Sequence, residues 1–363
     1  MSINDSLHAA LSFFTAFVIT YLSVPAIIRL SLVKRLYDEP DQRKLHSRRI
    51  SALGGVGIFG GMIFSFIFFT AYLGYPTLNS IIAGLIVLFV TGVKDDLFPM
   101  VPYKKFLGQI LAVLIVVIQG DIRLVSLYGI LDVWELPYLA SIGLTSFFFL
   151  GIINSFNFID GINGLSAGIG IVVCSTYGYW FYRMEEPLFL ILSLSITGAL
   201  LSFLRFNLVN ARIFMGDSGS MVLGFLSAIL TIQFIQEMEV FRPVVFENIA
   251  AMVYAFAVLI IPIFDTVRVV FYRVVILKRS PFAADRNHIH HSLLKIGLTH
   301  VQASGLLVTI NLLFILLTYT LNLYIRAKYQ MVVILVLAFI LSQIPFVIKK
   351  RMKRQGRYPV LPT

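Results

Sequence analysis

Long apolar runs alternate with short polar segments along the whole chain. Each run is close to the length at which a helix crosses the hydrocarbon core of a membrane, about 20 residues. A backbone inside lipid must satisfy its own hydrogen bonds, and the pattern lacks the alternating strands of a membrane β-barrel, so we expect α-helices. The runs predict eleven membrane-spanning helices, over residues 7–29, 51–73, 78–93, 105–119, 137–153, 164–182, 188–204, 219–236, 248–268, 302–323 and 330–348.

The composition agrees with this pattern. Of the 363 residues, 58% are hydrophobic and only 13% are charged, which excludes an ordinary soluble globular protein. No repeat, low-complexity linker or soluble domain interrupts the runs. The sequence therefore predicts an all-α, polytopic integral membrane protein with a single transmembrane domain over residues 1–363.

The basic residues predict the orientation. If eleven spans alternate across the membrane, 24 of the 29 Lys and Arg fall on one side and five on the other. Short loops rich in Lys and Arg stay in the cytoplasm, so the N-terminus should lie outside and the C-terminus in the cytoplasm. The net charge of +11 then reflects topology and contact with anionic membrane lipid, and it requires no nucleic-acid partner.

Four polar clusters fall on this predicted cytoplasmic face. Acidic groups at a membrane edge are costly unless they are solvated, paired or bound to a cation. The clusters therefore predict one shared site, although loop charges in water are the alternative. They are "VKDDL" (Val93–Leu97), "NSFNFIDGINGL" (Asn154–Leu165), "RFNLVNARIFMGDSGS" (Arg205–Ser220) and "PFAADRNHIHHSLLKIG" (Pro281–Gly297).

The side chains in these clusters favour a hard cation and phosphate. Carboxylate and amide oxygens suit Mg²⁺, with Mn²⁺ as an alternative ion. Asn157 and Asp160 are three residues apart and would share one face of a helix. Basic and imidazole donors fit a diphosphate. A zinc site on His288, His290 and His291 is the competing interpretation of the histidine loop.

Together the clusters resemble those of the polyprenyl-phosphate N-acetylhexosamine-1-phosphate transferases, a family that includes phospho-MurNAc-pentapeptide translocase. The resemblance extends from "RKLHSRRISALGGVGIF" to the "HIHH" loop and includes "NxxNxxDGxNGL" and "FMGDSGS". It implies a magnesium-dependent enzyme of the bacterial inner membrane, with its active site on the cytoplasmic face. Such an enzyme moves a sugar 1-phosphate from a UDP-sugar to polyprenyl phosphate and releases UMP.

The resemblance also implies roles for the acidic cluster. Asp217 matches the principal Mg²⁺ ligand of the family, and Asn157 also belongs to the metal site. Asp95 and Asp96 match an acidic pair that either deprotonates the acceptor phosphate or helps to hold the metal. Asp160 matches a third catalytic carboxylate near the diphosphate.

Further matches concern the substrates. Lys105 corresponds to a catalytic lysine near the lipid phosphate, while Asn207 and Phe214 correspond to positions that contact uracil. Asn163 corresponds to a nucleotide-binding position where the family often has aspartate, and the change to asparagine removes a negative charge. The histidine loop supplies the catalytic His290 and the substrate-binding residues His288 and His291.

The same loop bears on the donor sugar. Ile289 interrupts its histidines, as in relatives that use UDP-N-acetylglucosamine or related UDP-N-acetylaminosugars. We therefore expect transfer of GlcNAc-1-phosphate to undecaprenyl or another polyprenyl phosphate, which would initiate a lipid-linked cell-envelope glycan. A phospho-MurNAc-pentapeptide translocase is the alternative within the family. The oligomeric state stays open, with a homodimer among the alternatives.

A transporter is the alternative from a different class of protein. It predicts ionisable residues near the bilayer midplane and two similar halves, and the sequence shows neither. The spacing of Asp265 and Arg268, three residues apart, indicates an ion pair at a helix end.

Overall fold

The computed structural model describes residues 3–36, 50–130, 133–241, 248–278 and 288–355. The basic segment around "RKLHSRR" and the first part of the histidine loop, residues 37–49 and 279–287, lie outside the described residues. The elements are α1 (Ile3–Val33), α2 (Gly54–Thr70), α3 (Pro76–Leu97), α4 (Pro102–Leu114), β1 (Ser126–Ile130), β2 (Val133–Glu135), α5 (Tyr138–Ile159), α6 (Leu165–Met184), α7 (Pro187–Asn207), α8 (Gly216–Phe241), α9 (Asn248–Val258), α10 (Ile260–Phe271), α11 (Ile289–Lys295), α12 (His300–Leu321) and α13 (Ala327–Arg354). Short π-helical turns extend α4 over Ile115–Gln119 and α10 over Tyr272–Ile276.

The prediction of an all-α, polytopic membrane protein is confirmed. Within the described ranges, eight helices are long and apolar enough to cross a membrane, and the bent pair α9–α10 makes up to nine. Each of the eleven predicted segments overlaps a helix, but α2 has only 17 residues. α6 is not among the eight helices, because its second half, "STYGYWFYRM", lowers its hydropathy. The count of eleven and the orientation therefore stay predictions.

The segment predicted as one span over residues 248–268 is instead broken. α9 and α10 meet at an angle of 77°. A sharp break frees carbonyl groups, which need new partners inside a membrane protein. The buried Asn311 side chain on α12 donates to the carbonyl oxygens of Ala257 and Val258, at 3.3 and 3.1 Å. This contact stabilises the bend, which turns α10 towards the histidine loop.

A small antiparallel β-hairpin was missed by the sequence pattern. β1 and β2 pair Ser126 with Glu135 and Ile130 with Val133, between the end of α4 and the start of α5. Its base is held to α5, because Thr145 Oγ1 accepts a hydrogen bond of 2.9 Å from the Leu124 N–H. The hairpin follows the C-terminal end of α4 and precedes the N-terminal end of α5, away from the acidic clusters.

α8 is the central helix. Every residue from Ser218 to Ile235 is buried within the protein, and the N-terminus of the helix fits closely against α2 and α3. A Cβ added at Gly55 would lie 2.2 Å from Gly219 N, and one at Gly92 would lie 2.5 Å from Ser218 Cα. Only glycine allows backbones to approach this closely. The "FMGDSGS" motif is therefore the start of a buried helix held between two others.

Candidate active site

Three helix ends bring polar side chains to the start of α8. Asp217 lies in its first turn and pairs with Lys105, from the first turn of α4. Lys105 Nζ also lies 3.4 Å from Asp95 Oδ2, at the end of α3. Asn157, in the last turn of α5, donates to Asp217 Oδ1 and to Ser220 Oγ. The structure thus brings together residues that are more than 100 positions apart in the chain.

Asp96 differs from its neighbour Asp95 in what it contacts. Its two carboxylate oxygens accept the backbone N–H groups of Asp217 and Ser218, at 2.7 and 3.0 Å. These are among the first N–H groups of α8, which have no acceptor within the helix. Asp95 instead faces Lys105 and accepts the N–H of Met100 at 2.6 Å. Asp96 therefore holds the helix terminus, while Asp95 faces the cluster around Asp217.

Asp160 directly follows α5 and adds a further carboxylate. Loss of contact with water raises its pKa well above the ordinary value, and the negative charges of Asp217 and Asp96 raise it further. A hydrogen bond from the Gly216 backbone acts in the opposite direction. The ionised form of a carboxyl group in this position is unfavourable unless a cation binds beside it.

Asn207 and Phe214 hold the loops together. Asn207 Oδ1 accepts the Gly164 N–H at 2.7 Å, and its Nδ2 donates to the Ile213 carbonyl at 2.9 Å. The Phe214 N–H donates to the Ser51 carbonyl at 2.8 Å. Both ends of the Asn207 amide thus hydrogen-bond to the backbone of other loops. The contacts of Asn207 and Phe214 with uracil stay predictions.

Asn163 has a different environment. Its N–H donates to His300 Nδ1 at 3.3 Å, and its carbonyl accepts from Ser304 Oγ at 2.7 Å. Its side-chain Oδ1 is buried and has no hydrogen-bond partner among the described residues. A buried polar atom without a partner is costly, so Asn163 Oδ1 is suited to accept a hydrogen bond from a ligand.

The histidine loop is anchored by Asp265. Asp265 Oδ2 lies 2.7 Å from His288 Nδ1, and Oδ1 accepts the Ile289 N–H at 2.7 Å. Its main partners therefore differ from the predicted Arg268, whose guanidinium lies 3.6 Å from the centre of the Phe346 ring. The sequence interpretation missed Asp265 as a site residue. The available signal was a carboxylate inside an apolar run, where an ionisable group is costly.

His290 joins this loop to the acidic clusters. A Cβ added at Gly161 would lie 2.7 Å from His290 Nε2, so the imidazole lies directly beside the residue that follows Asp160. Burial lowers the pKa of His290 to about 3, although Asp265 opposes that shift. Nε2 has no hydrogen-bond partner in the described ranges. The His291 ring lies beside it at a tilt of 49°, with ring centres 4.3 Å apart.

Two further features border the loop. One ligand atom from each of Asp265, His288 and His290 lies within 4.8 Å of the others, so the trio that could hold a metal differs from the three histidines considered for zinc. An apolar cavity of about 400 Å³ lies between α10, α11, α12 and α13, with Ile289 and Leu293 in its wall.

Comparison with known proteins identifies the family. The profile of glycosyl transferase family 4 matches residues 78–235. The chain is 31% identical over 306 residues to a probable undecaprenyl-phosphate N-acetylglucosaminyl 1-phosphate transferase of Bacillus subtilis (strain 168), covering 82% of each chain. It is 30% identical over 274 residues to the undecaprenyl-phosphate alpha-N-acetylglucosaminyl 1-phosphate transferase of Escherichia coli (strain K12), covering 74% of this chain and 71% of that one.

A decaprenyl-phosphate N-acetylglucosaminephosphotransferase of Mycolicibacterium smegmatis is 30% identical over 313 residues, with 80% and 76% of the two chains covered. The relatives match most of the chain, and the residues matched by the family profile include all three helix ends that meet at Asp217. They confirm the resemblance that the four polar clusters indicated. The chain belongs to the polyprenyl-phosphate N-acetylhexosamine-1-phosphate transferase family of multi-pass membrane enzymes.

Proposed function

We propose that this enzyme transfers GlcNAc-1-phosphate from UDP-GlcNAc to undecaprenyl or another polyprenyl phosphate, and so initiates a lipid-linked cell-envelope glycan. The observation that carries the proposal is the convergence of Asp95, Lys105, Asn157 and Asp217 at the buried start of α8. The relatives named above support GlcNAc as the sugar and a polyprenyl phosphate as the acceptor.

The residues around Asp217 fit a magnesium ion. Asp95 and Asp217 both contact Lys105, and Asp160 experiences the charge of Asp217. Two carboxylates therefore share one lysine, and a third carboxylate lies close to one of them. Asp217 and Asn157 would hold the ion, for which hard oxygen ligands are suited. When bound, Mg²⁺, or Mn²⁺ in its place, would offset negative charge on the donor diphosphate.

The protein's own groups would position the two anionic substrates. An oxygen of the acceptor phosphate attacks the sugar-linked phosphorus of the donor, the bond to the bridging oxygen breaks, and UMP leaves. A phosphate monoester with a second pKa near 6 is mostly ionised at neutral pH, so direct attack needs no general base. Lys105 would bind the acceptor phosphate, while Asp96 holds the N-terminus of α8 in place.

The donor would lie between the acidic clusters and the histidine loop. His288, His290 and His291 would face its diphosphate, because His290 already adjoins Gly161. The buried Oδ1 of Asn163 would accept a hydrogen bond from the nucleotide. Since UDP-sugars are cytoplasmic substrates in this proposal, this end of the bundle would face the cytoplasm, as the basic residues predict.

Cysteine labelling tests the orientation. The single natural cysteine, Cys174, is buried, so an introduced cysteine can be read against a low background. Phe98 and Val209 lie beside the site and are 72% and 65% exposed. Cysteines at 98 and 209 should react only from the cytoplasm. Labelling of these two from opposite sides would disprove a single site.

Turnover with different donors tests the substrate. Purified enzyme with polyprenyl phosphate and Mg²⁺ should release UMP from UDP-GlcNAc faster than from UDP-GalNAc or UDP-MurNAc-pentapeptide. A preference for UDP-MurNAc-pentapeptide would instead identify a translocase of peptidoglycan synthesis. Solute uptake into proteoliposomes without UMP release would favour the transporter alternative.

A further inference from the structure

Asp265 is a buried acid for which the predicted roles give no function. It lies on α10, is only 2% exposed, and follows the apolar residues Ile260–Phe264. Removing a carboxylate from water is costly unless hydrogen bonds or a counter-charge compensate. Both of its oxygens are occupied, one by His288 Nδ1 and one by the Ile289 N–H. Among the described residues, both hydrogen-bond partners of the acid thus lie in the histidine loop, at the start of α11.

These contacts set how the His288 imidazole is presented. When a carboxylate accepts from Nδ1–H, the ring orientation is fixed and Nε2 points away from the acid. The His288 ring centre lies 5.7 Å from that of Phe158, next to Asn157 at the end of α5. His288 is therefore placed beside the helix end that carries the metal-site amide.

The same carboxylate lies near a second imidazole. His290 Nδ1 is 3.7 Å from Asp265 Oδ2, and its Nε2 lies against Gly161. One buried carboxylate therefore lies close to Nδ1 of two imidazoles, one of which lies near Phe158 at the end of α5 and the other beside Gly161, just after α5. We propose that Asp265 is a positioning residue, whose carboxylate orients His288, and secondarily His290, towards the donor diphosphate. This inference rests on the proposed function, in which the histidine loop binds that diphosphate.

The main test is Asp265→Asn. Asparagine has nearly the same size, but it replaces one acceptor oxygen with an NH₂ group that cannot accept from Nδ1–H. Loss of such an outer partner typically lowers activity on the order of 10- to 100-fold. We expect that loss in kcat/KM for UDP-GlcNAc, with the KM for polyprenyl phosphate and the Mg²⁺ activation curve unchanged. Wild-type kinetics with UDP-GlcNAc would overturn the proposal.

Two comparisons separate positioning from general structural damage. Thr266→Val changes the next residue of α10, whose Oγ1 has no hydrogen-bond partner among the described residues, and it should leave all kinetic constants unchanged. If Asp265 acts through His288, the variant Asp265→Asn/His288→Asn should be no worse than His288→Asn alone. Fully multiplicative losses would refute action through His288.

A spectroscopic measurement tests the contact without an Asp265 variant and without turnover. In ¹⁵N-histidine-labelled wild-type enzyme, the His288 signals, assigned by their loss in His288→Asn, should show a protonated and hydrogen-bonded Nδ1. An unprotonated Nδ1 would overturn the proposal even if Asp265→Asn fails to fold. Tightly bound zinc whose removal abolishes activity would also overturn it, because Asp265 would then be a metal ligand. A wild-type enzyme that releases no UMP from UDP-GlcNAc would refute the proposed function, while this spectrum would still decide the contact.

Discussion

Replacement of Asp96 by asparagine should destabilise the protein, because Asp96 holds the start of the central helix. Its two oxygens accept the N–H groups of Asp217 and Ser218. Asparagine keeps one acceptor and turns an NH₂ group towards the other N–H. The lost charge-assisted hydrogen bond is worth about 1.5 to 3 kcal/mol. Loss of a negative charge at a helix N-terminus adds about 0.5 to 1 kcal/mol.

Together these terms amount to about 2 to 4 kcal/mol. Burial raises the pKa of Asp96 to about 6, so the neutral asparagine avoids part of the cost of burying the charge. We therefore expect Asp96→Asn to lower the free energy of unfolding by less than this sum, but by more than the loss of an exposed acid does. The measurement is unfolding in mixed micelles of rising SDS fraction, followed by circular dichroism. Asp121→Asn is a matched control, because the Asp121 side chain is 71% exposed in its pair with Arg123, and such a pair is worth about 0 to 1 kcal/mol.

The result also separates the roles of the two neighbouring acids. Asp95→Asn should abolish turnover, and its effect on stability should be smaller, because Asp95 accepts only one backbone N–H in the described structure. If Asp96→Asn unfolds at the same SDS fraction as the wild type, Asp96 does not hold α8. Its predicted role in catalysis would then be the better explanation of its position.

Three further outcomes are expected. Asp217→Asn should lose magnesium-dependent turnover while remaining folded, because it removes a hard anionic ligand; near-normal activity at ordinary Mg²⁺ would remove Asp217 from the metal site. Gly161→Ala should lower turnover, because the added Cβ would lie 2.7 Å from His290 Nε2. The control Gly151→Ala should not, because nothing lies within 4 Å of its added Cβ, and equal activities of the two variants would disprove the close contact. Asp160 has a raised pKa in the folded protein, so its ionised form opposes folding at pH values above that pKa. In EDTA, Asp160→Asn should therefore raise Tm at pH 8, by an increment that shrinks as the pH falls; an increment that grows instead would contradict the raised pKa.

The sequence predicted the helices and the convergence of the clusters for one physical reason. If each apolar run crosses the membrane, alternate loops lie on the same side. This rule alone predicts that Asp95, Asn157 and Asp217 lie on the same side of the membrane. It could not distinguish Asp95 from Asp96, because their contacts depend on where α3 ends relative to the first turn of α8.

Other features could not be predicted because they depend on contacts between distant helices. The 77° bend between α9 and α10 is stabilised by Asn311 on α12, and no local signal marks that pairing. Asp265 lies in an apolar helix, and its partner His288 is 23 residues away. Its local spacing pointed to Arg268, whereas the tertiary structure gives it the histidine loop.

The fate of each phosphate of the donor tests the central claim most directly. Purified enzyme, polyprenyl phosphate and Mg²⁺ are incubated with UDP-GlcNAc labelled with ³²P at either the α or the β position. Transfer of sugar 1-phosphate predicts that the β label moves into the lipid product and that the α label is released as UMP. Release of each label as UDP, or retention of each label in unreacted donor, would contradict the proposed reaction.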